Sequence, residues 1–207
     1  MLYLKEQISE SLQLGIWKIE ESRETLYALL DNKIWLSDII TIKSESRIVE
    51  MLAVRALIKE MIGKEVCICY TSSGRPYLED KSYYISISHT KGFVAVLLNT
   101  IRPIAIDIEQ ISDKAKRVRK RFVSEREYID EDQEILHLLL HWSAKETLFK
   151  ILDLEGVDFL RHLYIEPFTP QVSGIFGGSE SKTKTNSSYE INYKINDEFV
   201  LTYLIGK

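Results

Sequence analysis

The chain predicts an α+β fold of two similar halves, each an antiparallel sheet packed with one long helix. Two observations lead there. Residues 45–62 repeat apolar side chains at three- and four-residue steps, and a second helical pattern runs from about Asp132 to Leu152. Each helix is accompanied by short apolar or alternating runs, separated by turn residues, that read as strands of a meander. The repeated order suggests a pseudo-duplicated, two-lobe layout, with residues 1–100 and 101–207 as halves of one functional unit.

Residues 1–42 carry the weakest pattern: 16–19 reads as a strand, and 22–30 as a helix with Ser22 as its N-cap. In the helix at 45–62, Ile48, Leu52 and Ala56 recur on one side, and Gly63 is the expected C-cap. Strands follow at 66–70, 83–88 and 92–98, with a turn at 72–77 and another at 99–103. In the second half, Ser124-x-x-Glu127 fits a capping box, predicting a helix that starts near Ser124. After the long helix come strands at 163–168, 172–176, 189–195 and 199–205. The Ser/Thr/Lys-rich stretch 177–188 reads as an exposed hairpin loop.

At 207 residues, with 45% hydrophobic and 28% charged residues, the chain has the composition of a soluble globular protein. A net charge of −4 gives no general case for nucleic acid or membrane partners. Cations cluster locally, however, in the run Lys114 to Arg121. Cys67 and Cys69 read as reduced packing residues, and no signal peptide is evident, so a cytoplasmic protein is expected.

The chemistry centres on Ile104-Ala-Ile-Asp-Ile-Glu-Gln110. In a strand, Asp107 and Glu109 project to one side, roughly 6.5–7 Å apart at their Cα atoms, while Ile106 and Ile108 point to the core. Two acids this close repel unless a proton or a cation lies between them, and a hard divalent ion such as Mg²⁺ suits oxygen ligands. Glu146 and Lys150 lie four apart on the long helix, sharing a face with Trp142. If that face meets the acid strand, Glu146 becomes a third oxygen ligand and Lys150 a cation beside it. Ser88, His89 and Thr90 end a strand at what reads as a turn, offering hydroxyls, an imidazole and backbone N–H groups to a phosphate. Arg75, in Gly-Arg-Pro, places a guanidinium on a stiff turn.

In this order and spacing the set resembles the 4′-phosphopantetheinyl transferases of the surfactin-synthetase-activating (Sfp-like) type. The matching signatures are G-R-P-Y-L at 74–78, S-I-S-H-T at 86–90, A-I-D-I-E at 105–109, F-x-S-x-x-E at 122–127 and W-x-x-K-E-x-x-x-K at 142–150. Arg75 stands where the family usually has Lys, and Leu139 where an aromatic residue is frequent.

The resemblance implies transfer of phosphopantetheine from coenzyme A to a serine of an acyl or peptidyl carrier protein, with 3′,5′-adenosine bisphosphate as by-product. It assigns Mg²⁺ to Asp107, Glu109 and Glu146, and charge neutralisation on the pyrophosphate to Lys150. Arg75, Ser88 and His89 would grip the adenosine phosphates, with Arg47 a further candidate for the 3′-phosphate. Glu146, Glu127 and a metal-bound water are all candidates for the base that takes the serine proton. The cation run 114–121 would meet an acidic carrier surface. A monomer is expected, with no nucleic acid and no membrane. The rival readings are a coenzyme A-binding module without turnover and a different Mg²⁺-dependent phosphohydrolase.

Overall fold

The computed structural model describes residues 1–37 and 39–207, and the chain divides into two compact units, Met1–Arg102 and Pro103–Lys207. Both combine antiparallel sheet with helix, the mixed α+β class expected. Among these residues, no helix is long and apolar enough to cross a membrane.

The first unit opens with β1 (Leu2–Gln7), which pairs with β2 (Leu12–Lys18). The weak patterning of this end has a simple cause: β1 is mostly exposed and has little apolar face to reveal it. Helix α1 (Arg23–Ala28) starts at Ser22, whose hydroxyl accepts from the Thr25 N–H as predicted. Helix α2 (Glu45–Ile62) is capped by Ser44 at its start and by Gly63, at φ 81°, at its end. Gly63 is suited to that left-handed conformation, where a Cβ would be strained.

Next come β3 (Ile68–Tyr70), β4 (Pro76–Leu78), β5 (Tyr84–Thr90) and β6 (Phe93–Asn99). The four-stranded sheet runs β1-β2-β6-β5, and β3 pairs with β4. Leu52, Leu57 and Ile58 of α2 join Trp17, Val94 and Val96 in the core of this unit. Cys67 and Cys69 are free and half-buried.

The second unit begins with β7 (Ile104–Gln110), followed by α3 (Lys114–Val118) and α4 (Glu134–Leu152). Strands β8 (Leu163–Ile165), β9 (Ser173–Glu180), β10 (Ser188–Ile195) and β11 (Phe199–Ile205) complete a five-stranded sheet in the order β7-β11-β10-β9-β8. Helix α4 packs on β7 and β11. Leu140, Ala144 and Leu148 meet Ala105, Val200 and Leu204 in the core.

Two expectations fail here. Ser124 starts no helix. The Glu127 carboxylate does reach back to the Ser124 N–H and hydroxyl, but it closes only a turn, and α4 begins at Glu134. The same carboxylate is drawn inward by buried groups, so the chain turns at this point instead of coiling onward. The stretch 177–188 is also not all loop. Its first four residues continue β9, and the connection spans 181–187. Gly177 and Gly178 belong in the strand because their neighbours come close: a Cβ on Gly178 would lie 2.7 Å from Ile191 Cδ1.

Gly15 in β2 marks a comparable close approach, since a Cβ there would lie 2.4 Å from Met61 Sδ and 2.9 Å from Leu57 Cδ1 of α2. Gly15→Val is expected to cost about 1–3 kcal/mol through overpacking. Urea unfolding should show a lower midpoint with an unchanged slope; an unchanged midpoint would mean that α2 is not seated on β2 as described.

Candidate active site

Strand β7 presents alternate residues to α4. Asp107 is 4% exposed and Glu109 half-buried, so these are not solvated acids at a strand end. Ile106 and Ile108 on the other face are also buried. Both faces are therefore covered, where the sequence suggested one buried face and one carboxylate face. The covering element on the acid side is α4. Thr202 of β11 lies directly opposite Asp107 in the ladder, and its hydroxyl meets Ser143 at 2.9 Å and Thr147 at 2.7 Å.

That hydroxyl cluster fixes which helical face meets the strand. Residues 143, 147 and 150 are spaced four and three apart, so Lys150 lies on the same side. Lys150 Nζ donates to Asp107 Oδ1 at 2.8 Å and to the Ile106 carbonyl at 2.9 Å. One turn earlier than Glu146, Trp142 donates its indole N–H to Glu109 Oε1 at 2.8 Å. The Trp142 ring is held edge-on by Phe122, with centroids 5.2 Å apart. Thus the A-I-D-I-E strand, the F-x-S-x-x-E turn and the W-x-x-K-E helix converge in one unit.

The electrostatics follow from burial. Desolvation, together with the charge of Asp107 and, less strongly, Glu146, pushes the Glu109 carboxyl up to about 7. Trp142 and Lys150 pull against that rise. Burial also raises Glu146, with Asp107 adding to the rise and Lys150 opposing it. Among the described residues no three His, Cys, Asp or Glu side chains already stand as a metal-binding group. The donor set nevertheless fits a hard divalent cation. Its groups are carboxylates, and they raise one another's affinity for positive charge, which a cation would relieve.

Glu127 has a different environment. Oε2 accepts from Lys145 Nζ at 2.8 Å, and Oε1 accepts from the Ile165 N–H at 2.9 Å. Lys145, the first Lys of the helix motif, is fully buried and also donates to the carbonyls of Phe122 (2.6 Å) and Phe159 (2.9 Å). All three ammonium protons have acceptors. Spacing alone assigns no role to Lys145, whose only signal is its place in the motif. Burial lowers its pKa, opposed by Glu127.

In the first unit, Arg47 Nη1 lies 2.8 Å from His89 Nε2 and 3.2 Å from Glu50 Oε2, while His89 Nδ1 is 3.4 Å from Glu50 Oε2. Arg47 and His89 are therefore neighbours. Ser88 is not with them. Residues 88–90 do not form a turn but continue β5, paired with Ala95, Val94 and Phe93. Strand alternation sends Ser88 inward and His89 outward, to opposite faces of the sheet. Arg75 follows Gly74, which has φ 84°, and leads into β4; Thr71 Oγ1 accepts from the Arg75 N–H at 3.1 Å. In the 114–121 run, Arg117 pairs with Asp113 and Arg119 with Glu134, while Lys114, Lys120 and Arg121 remain exposed.

Residues 103–204 match the family model of the 4′-phosphopantetheinyl transferase superfamily. This match supports that superfamily. It covers nearly all of the second unit, including both the acid strand and α4, and implies a transferase of the phosphopantetheinyl type. No curated protein matches the chain.

Lys145→Ala leaves the Glu127 carboxylate buried without its cation and should cost about 3–5 kcal/mol in urea unfolding. The double variant Lys145→Met with Glu127→Gln should recover part of that loss, and equal losses would contradict the pairing. Glu109, whose folded pKa lies above its unfolded 4.5, binds more protons folded than unfolded between pH 4.5 and about 7. Its contribution to stability is accordingly highest below 4.5, falls as pH rises to about 7 and then levels off. Glu109→Gln should remove this component from melting temperature measured against pH in metal-free buffer.

Proposed function

We propose that the protein transfers the 4′-phosphopantetheine group of coenzyme A to a serine hydroxyl of an apo acyl or peptidyl carrier protein, releasing 3′,5′-adenosine bisphosphate. The observation that carries the reading is the pairing of α4 with β7. It sets the Glu146 and Lys150 helix against the strand of Asp107 and Glu109, within the segment that matches the superfamily.

In this reading the serine Oγ forms a bond to the phosphorus bearing the pantetheine. The bond from that phosphorus to the bridging oxygen breaks, and the adenosine bisphosphate leaves with the electron pair. Catalysis is largely positioning and charge neutralisation. Asp107, Glu109 and Glu146 would hold Mg²⁺, which when bound neutralises charge on the pyrophosphate. Lys150, already at this locus through Asp107, would donate to a pyrophosphate oxygen. Arg47 and His89 would bind adenosine phosphate oxygens, with Arg75, from the turn before β4, and Ser88, from β5, as further candidates. Glu146 takes the serine proton in this proposal, from the helix that meets the Asp107 and Glu109 strand. Glu127 does not, because its oxygens are occupied by Lys145, Ser124 and the Ile165 N–H. The exposed cations Lys114, Lys120 and Arg121 would attract an acidic carrier surface.

The test is intact-mass analysis of an apo carrier protein incubated with the protein, coenzyme A and Mg²⁺. A gain of one phosphopantetheine, blocked by EDTA and by Asp107→Ala, is expected. Coenzyme A binding without any gain across several carriers would favour the binding-module reading, and release of phosphate without a carrier adduct the hydrolase reading. Lys150→Ala should slow turnover on the order of 10²-fold, as loss of one stabilising donor does. Charge reversal at Lys114, Lys120 and Arg121 should lower kcat/KM for the carrier, most at low salt, and leave KM for coenzyme A unchanged.

A further inference from the structure

A polar cleft of about 470 Å³ opens in the second unit, lined by Arg126, Arg161, His162, Tyr164, Ser179 and Asn186 among others. Its residues are not those of the carboxylate locus. We propose that it is a binding site for a phosphate-bearing small molecule, with Arg126, Arg161 and His162 as the oxyanion donors.

Three structured segments build it. Arg126 comes from the turn closed by Ser124 and Glu127, and its guanidinium lies over the Tyr164 ring at 5.8 Å. Arg161 and His162 come from a tight turn in which Asp158 Oδ1 accepts from the N–H groups of Leu160 (2.9 Å) and Arg161 (3.0 Å). The third wall is the connection 181–187. It is organised by the buried Glu180 carboxylate, which accepts from the Thr183 N–H at 2.7 Å, the Ser187 N–H at 2.9 Å and the Thr183 hydroxyl. Ser181 ties this wall to the turn, its N–H donating to the His162 carbonyl at 2.9 Å.

The chemistry is that of anion capture. His162 Nδ1 accepts from the Asp158 N–H at 2.8 Å, so the neutral ring carries its proton on Nε2 and has a donor to offer. Two guanidiniums add forked donors matched to phosphate oxygens. The acid in the lining, Glu180, is 2% exposed, and its oxygens are engaged by Thr183 and Ser187 of its own loop. Ser179, Ser181, Asn186 and Ser188 supply neutral hydrogen-bonding groups for the remainder of a ligand. The volume lies in the range of small-molecule sites and exceeds what a bare phosphate needs.

The test is NMR of the His162 ring in the full chain, titrated with inorganic phosphate and, separately, with succinate at constant ionic strength. The signal is assigned by its loss in His162→Gln. A saturable shift with phosphate is expected, weakened about tenfold or more in Arg126→Ala/Arg161→Ala, as loss of charge-assisted bonds implies. Both arginines are exposed, and an unchanged melting temperature checks that the variant is folded. A shift that does not saturate, or that the double variant leaves intact, would overturn the site. Equal binding of succinate would overturn its assignment to phosphate.

Discussion

The seating of α4 across the β7–β11 pair is the constraint on which the candidate site depends. Covering Asp107 with a helix removes its carboxylate from water, a cost that must be met by a partner. Lys150 meets it, and by also donating to the Ile106 carbonyl it pins the last turns of the helix to the strand backbone. The Ser143, Thr147 and Thr202 hydroxyls lock the same two elements at a second point. Carboxylates positioned by helix-on-sheet packing hold their geometry better than groups carried on loops.

Helix α4 carries two Lys–carboxylate pairs, and their contrast separates structure from chemistry. Lys145 and Glu127 are both sealed, and every donor on the ammonium has an acceptor. That pair anchors the 122–127 turn and, through the Ile165 N–H, strand β8. Lys150 and Asp107 differ, for Lys150 keeps 29% side-chain exposure and the neighbouring acids are driven upward in pKa by burial and by one another. A sealed and balanced pair holds the fold. A partly open one beside two acids with raised pKa is where the proposed function would seat an added cation.

The parts of this fold that sequence revealed are those governed by local rules. Helix α2 was legible to its C-cap because Gly63 acts within one turn of the residues it terminates. Strand β7 was legible from its alternation, and the Glu146–Lys150 face from helical spacing. What sequence could not reveal depends on distant partners. The pattern at Ser124 and Glu127 is a sound capping box, yet Lys145, 18 positions along, draws the carboxylate inward and a turn results. Gly177 and Gly178 look like loop residues until Glu166 and Ile191 are placed against them. Ser88 and His89 looked like one phosphate cradle because the strand's extension to Thr90 is set by its pairing with β6. Lys145 gave no sign of burial, since a lysine sealed inside a core is understandable only with its three acceptors in view.

The most direct test of the central claim is ¹³C NMR titration of the glutamate carboxyls with and without Mg²⁺, assigned with Glu109→Gln and Glu146→Gln. Without metal, Glu109 should titrate near pH 7. With Mg²⁺ its apparent pKa should fall by more than one unit, since a cation favours the charged form, and Asp107→Ala should abolish the fall. A Glu109 titration indifferent to Mg²⁺ would contradict the account, leaving these acids as packing partners of Lys150 and Trp142.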